Sequence, residues 1–115
     1  MERNKKLYIN LKGKDFVLYE GLLNEFHKNG GESIETELIQ TNLNEETFFI
    51  FKAVVKGEKG IYTGYGDACK GNVNSMVVAH MMRMAETRAK ARALRDYNNI
   101  GVCSVDELGG DNESN

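Results

Sequence analysis

One stretch limits what this chain can fold into. Val73 to Tyr97 reads VNSMVVAHMMRMAETRAKARALRDY, a run without Gly or Pro and rich in strong helix formers. It predicts a helix of six to seven turns, opened by Gly71-Asn72, where Asn72 is placed to cap the first free amides. The first half is apolar and Met-rich, with Met76, Met81, Met82 and Met84 expected as core filler. The second half alternates alanine with Arg88, Lys90, Arg92 and Arg95.

At about 100° per residue, Arg88, Arg92 and Arg95 fall within roughly 60° of one another and form one basic stripe. Val78, Met82, Ala85, Ala89 and Ala93 lie to one side of it. Small residues there allow close approach to a sheet while leaving the guanidinium groups accessible. Basic residues near a helix C-terminus also suit its dipole, so a solvated face is the bland reading. Against it, only Asp96 is a nearby acid and Glu86 faces away, so no i,i+4 partner neutralises the stripe.

The chain of 115 residues makes one domain with a single modest core. Its net charge of −2 argues against a nucleic-acid binder until its distribution is read. Gly31 to Glu46 holds five acids and no base, Val73 to Tyr97 five bases and two acids, and the part from Gly101 onward four acids and no base. The average conceals a basic surface. No apolar run approaches the ~18 residues that span a bilayer, and MERNKKLYIN has no apolar signal segment, so an intracellular, cytoplasmic protein without a membrane partner is expected. Cys69 and Cys103 are too few and too far apart for a zinc site and are expected as thiols.

In order along the chain, residues 1–14 form a basic lead with a short extended piece at Leu7 to Leu11. Asp15 to Lys28 predicts an amphipathic helix, with Phe16, Tyr19, Leu22, Leu23 and Phe26 at spacings of three and four, Asp15 as its N-cap and Asn29-Gly30-Gly31 as its end. Three strands follow. Ser33 to Gln40 alternates, with Ile34, Thr36 and Leu38 on one side and Glu35 and Glu37 on the other. Thr47 to Lys56, TFFIFKAVVK, is the strongest and the central one, and a Gly57–Gly60 turn leads into Ile61 to Gly66.

The fold class is thus α+β in the order α-β-β-β-α, a three-stranded antiparallel meander packed against a long C-terminal helix and a shorter N-terminal helix. Residues 15–101 form this domain, and residues 102–115 form an acidic tail expected to be disordered, above all beyond Leu108. One face of the sheet is left for polar residues, the termini or a partner, and the apolar alternation on both sides of Phe48 to Val55 favours a partner or another subunit.

Most catalytic signatures are missing, so no enzyme and no cofactor are expected. Gly64-Tyr65-Gly66 begins like a dinucleotide fingerprint, but Cys69 stands at the third Gly and there is no parallel βαβ unit, so these glycines serve a bend or close packing. No phosphate loop of the G-x-x-x-x-G-K-[ST] type occurs, and His27 and His80 are isolated.

Three motifs together carry a resemblance: a helix ending in NEFHKNGG, a meander ending in YTGYG, and a long helix ending in RAKARALRDYNNIG. From Asp15 to Gly101 the chain resembles the globular core of the Rad fifty-two family of single-strand annealing proteins and its bacterial and phage relatives. The resemblance implies a single-stranded DNA binder that anneals complementary strands in recombination or repair without ATP. It also implies a homo-oligomer, as a ring or another form, with a single-strand-binding or recombination protein as a possible partner. Arg92 and Arg95 match the family's basic groove residues, while Arg88 and Lys90 are added from the stripe and its surroundings. Ala91 stands where a lysine is expected, and a basic residue near Val17 is missing.

Annealing needs phosphates held and bases left free, which suits arginines and a steep salt dependence. Tyr62 and Tyr65 are candidates to stack on bases or sugars, with ordinary packing on the sheet as the simpler role; Tyr65 is kept as a site residue with Arg88, Lys90, Arg92 and Arg95. The four tail acids are expected to compete with DNA, so that deleting Asp106 to Asn115 tightens binding. Two other classes share the pattern. A double-stranded RNA-binding domain has the same element order but needs a lysine cluster at the start of the second helix, where Gly71-Asn72-Val73-Asn74 stands. A protein-interaction module would use the open sheet face and the stripe against an acidic partner and bind no nucleic acid.

Overall fold

The computed structural model describes residues 7–44, 46–69 and 78–108. Its main sheet is an antiparallel meander of β3 (Gly31–Asn42), β4 (Phe48–Gly57) and β5 (Gly60–Cys69) in the order β3-β4-β5. Helix α1 (Tyr19–Lys28) precedes the sheet and α2 (Val78–Tyr97) follows it and packs on β5 and β4. The α+β architecture in α-β-β-β-α order is therefore present. The proposed Asn72 cap and the residues from Val73 to Val77 lie outside the described residues.

An additional hairpin precedes this core, formed by β1 (Tyr8–Leu11) and β2 (Lys14–Val17). Lys12 and Gly13 both take positive φ, +53° and +80°, the pair of left-handed residues that a two-residue turn needs to match the strand twist. Asn10 secures it by accepting from Gly13 N–H at 3.1 Å and donating to Asp15 at 2.9 Å. Asp15 and Phe16, expected at the start of a helix from Asp15, thus belong to a strand. The helix begins at Tyr19, and Leu18 at its N-cap position offers no side-chain acceptor. The missing acceptor comes from far along the chain: Asp106 Oδ2 takes the Tyr19 N–H at 2.9 Å.

Strand alternation sets the two faces of the sheet. Phe49, Phe51, Ala53 and Val55 of β4 are buried beneath α2, and Ile34, Thr36 and Leu38 of β3 stand opposite Val55, Ala53 and Phe51 in register. The alternation read from Ser33 to Gln40 is the observed one, interrupted by a bulge between Leu38 and Gln40. The other face carries Phe48, Ile50, Lys52 and Val54, with Lys52 directly opposite Tyr65. On that face Ile61 is 66% exposed and Tyr65 54%.

Gly64 and Gly66 on β5 let α2 come into backbone contact. A Cβ on Gly64 would stand 2.5 Å from Ala93 N, and one on Gly66 would collide with Ala85 O and Ala89 N. The facing helix residues Ala85, Ala89 and Ala93 are fully buried, as the small-residue strip requires. Val78 and Met82, placed beside them by helical angle, are 50% and 40% exposed, so the strip narrows to its alanines. Met81 enters the core, Met84 packs partly against it, and Met82 does not. At the far end of α2, buried Tyr97 meets Phe26 and Tyr62 edge-on, donates its hydroxyl hydrogen to Asn29 O at 2.9 Å and accepts from Lys59 N–H at 3.2 Å. One side chain thereby ties together α1, the β4–β5 turn and α2.

The segment after α2, assigned in sequence to the acidic tail, is packed through Leu108. Val17 N–H donates to Cys103 O at 2.9 Å, Val17 and Ser104 form a parallel bridge, and Val105–Glu107 make a short 3-10 turn against α2. Residues 109–115 lie outside the described residues.

Candidate nucleic-acid interface

The stripe read from helical angles converges on one acid. Arg88, Arg92 and Arg95 all direct their Nε–H to Glu107: Arg88 to its backbone oxygen at 2.8 Å, Arg92 to Oε1 at 3.2 Å and Arg95 to Oε2 at 2.7 Å. Arg95 Nη2 adds a bond to Oε1 at 2.9 Å, making a two-point fork on the carboxylate. Glu107 Oε2 also accepts from Ser104 N–H at 2.9 Å, the return half of a capping box. With so many donors, the carboxylate side chain is only 2% exposed.

The terminal nitrogens do a second job. β5 is an edge strand, and two of its carbonyls, two residues apart and so pointing the same way, are taken by the helix: Arg88 Nη1 donates to Asp67 O at 2.7 Å and Arg92 Nη1 to Tyr65 O at 3.0 Å. The Asp67 carboxylate stands 3.9 Å from Arg92 Nη1. Among the described residues, the three guanidinium groups of the cluster meet two carboxylates, those of Glu107 and Asp67.

The three arginines differ in access. Arg88 is 5% exposed, whereas the side chains of Arg95 and Arg92 are 20% and 38% exposed. Burial, with Arg92 alongside, pulls the Arg88 pKa below its usual value, opposed by Asp67 and Glu107. Burial alone would raise the Glu107 carboxyl, but the bonds from Arg95 and Ser104 outweigh it and hold it below the usual carboxylate range. The Cys103 thiol is pushed up by burial and then by Glu107.

The remaining expected site residues sit apart or nearby. Tyr65 gives its carbonyl to Arg92 while its ring lies on the open sheet face. Lys90 turns toward α1, its Nζ 5.6 Å from the centre of the Tyr19 ring, and does not join the cluster. Tyr62 packs against Tyr97 rather than offering a free ring. Sequence reasoning missed Glu107, Asp67 and Asp106. None of the three is a neighbour of the arginines along the helix: they come from β5 and the chain after α2. The run Ser104-Val105-Asp106-Glu107 carries a usable signal, because serine followed three residues later by glutamate is a capping-box pattern.

Among the described residues no group of His, Cys, Asp and Glu is arranged to hold a metal ion, and no helix is long and apolar enough to cross a membrane. No family model, curated protein or solved structure matches the chain.

Proposed function

We propose that this protein binds single-stranded DNA along the α2–β5 edge and promotes annealing of complementary strands in recombination or repair, without ATP, as a cytoplasmic homo-oligomer. The observation that carries the reading is the row of three guanidinium groups at this edge, set against two carboxylates among the described residues, with the Tyr65 ring exposed on the open face of the same strand. Fixed arginines hold phosphates without reading bases, and an exposed aromatic ring on the same strand gives a base or sugar a surface to rest on. The resemblance of the NEFHKNGG, YTGYG and RAKARALRDYNNIG segments to annealing proteins points the same way.

The test is fluorescence anisotropy of labelled oligo-dT at low and moderate salt, beside duplex DNA and duplex RNA. Single-strand preference that weakens steeply with salt supports the function, and an annealing assay with complementary oligonucleotides then follows. Absence of binding by folded protein refutes it. A preference for duplex RNA would instead indicate the double-stranded RNA-binding class. The open sheet face favours a second reading, a protein-interaction module, since Ile61 and Tyr65 there expose apolar surface.

A further inference from the structure

We infer that Glu107 is the positioning residue of the arginine cluster and that Arg92 is the one arginine it presents to a phosphate. The inference rests on the single-stranded DNA reading and narrows it, because the three arginines pooled by helical angle do not have equal roles.

A guanidinium has five N–H donors in a rigid plane, so fixing Nε fixes the direction of the others. Glu107 fixes all three Nε groups from a buried position, through its backbone oxygen for Arg88 and its two carboxylate oxygens for Arg92 and Arg95. Arg95 spends Nη2 on the same carboxylate, and its Nη1 lies 3.5 Å from Gly101 O. Arg88 is buried, with Nη1 on Asp67 O. Arg92 spends Nε and one Nη1 hydrogen, and its Nη2 amine makes no hydrogen bond among the described residues. It is also the most exposed of the three. A phosphate oxygen approaching this edge therefore meets Arg92 first, with its side chain already ordered.

The alternative role for Glu107 is that of a competitor occupying the phosphate position. Its place in the fold argues against that. Glu107 is held by Ser104 N–H as well as by the arginines, in a turn flanked by the Val17–Ser104 bridge and the Asp106 bond to Tyr19, so releasing its carboxylate would disturb the whole segment. A fixed anion that lowers the net charge of a cluster while orienting its donors is a support for the site and not a plug.

The test reads the arginine Nε–H signals by proton–nitrogen NMR of the wild-type protein titrated with oligo-dT, together with the salt dependence of binding for Arg92→Gln and Glu107→Gln. The expected result is that the Arg92 signal shifts with DNA while those of Arg88 and Arg95 stay protected. Arg92→Gln should flatten the slope of log affinity against log salt by about 0.7, the share of one phosphate on a single strand. Glu107→Gln should weaken binding roughly tenfold, as loss of an orienting outer contact does elsewhere, with the slope kept. Tighter binding by Glu107→Gln, or loss of Arg95 protection when DNA binds, overturns the positioning role. If Glu107→Gln does not fold, the wild-type titration alone decides between the two roles. Oligo-dT that binds while the Arg92 signal stays unmoved overturns the role of Arg92 alone, whereas folded protein that binds no oligo-dT refutes the DNA-binding function as well.

Discussion

Replacing Gly66 by alanine tests whether backbone contact between β5 and α2 holds both the core and the arginine cluster in place. The added Cβ would run into Ala85 O and Ala89 N and come within 2.8 Å of the Arg88 carbonyl carbon, nearer than the 3.0 Å that real Cβ atoms keep. All three are mid-helix backbone atoms, so no side chain can swing aside. Ordinary contact at roughly 3.5 Å is restored only if α2 retreats by about 1 Å, a gap that forfeits a quarter to a half of each dispersion contact it opens. The helix buries Met81, Ala85, Ala89, Ala93, Leu94 and Tyr97, so the retreat is felt along its length. Overpacking typically costs 1–3 kcal/mol, and a collision with rigid backbone belongs at the upper end, about 3 kcal/mol. For a domain of this size that lowers Tm by roughly 12 °C. Urea and thermal unfolding followed by circular dichroism measure it, with Gly101→Ala as control, since a Cβ there meets nothing within 4 Å and the change should stay within about 0.5 kcal/mol. A loss below about 1 kcal/mol for Gly66→Ala would refute the reasoning, because the helix would then have room that the contacts deny.

Two further outcomes follow from the segment after α2. Glu107→Ala should destabilise by about 3 kcal/mol, the low end for breaking a buried ion pair, because Arg92 is partly exposed and screened. The Glu107 carboxyl lies below its ordinary value in the folded protein, so its contribution is present above about pH 4.5 and is lost as the pH falls through the folded pKa. Wild-type stability should therefore drop more steeply below that pH than stability of Glu107→Gln, and parallel curves would refute the pairing. Asp106→Ala should cost about 1 kcal/mol by removing the acceptor at the start of α1, while Asp106→Asn, which keeps an oxygen there, should lose less. Amide exchange at Tyr19 reads the same bond locally.

What was legible in the sequence was whatever the chain decides locally. The alternation of Ile34, Thr36 and Leu38, the apolar centre of β4 and the Gly57–Gly60 turn all depend on neighbours in sequence, and all appear where periodicity put them. The alanine strip and the two glycines of Gly64-Tyr65-Gly66 also announced their close contact, because only small residues permit it. The errors arise where a local pattern was satisfied from a distance. Phe16 continued the three-and-four spacing of α1 by coincidence, and Asp15 looked like a cap because the real one, Asp106, lies 87 residues after Tyr19.

Counting i,i+4 partners left the arginines unneutralised and made the acids after α2 look like rivals of DNA. The fold instead places two of those acids inside the structure, Asp106 as the missing cap of α1 and Glu107 as the anchor of three Nε groups. Removing Asp106 to Asn115 takes away both, so it should loosen the arginines and weaken DNA binding rather than tighten it. A truncated protein that stays folded and binds oligo-dT more tightly would restore the view of these acids as competitors. Charge counted along a sequence says how much of each sign is present; only the packing of Glu107 under the helix says which charges remain for a partner.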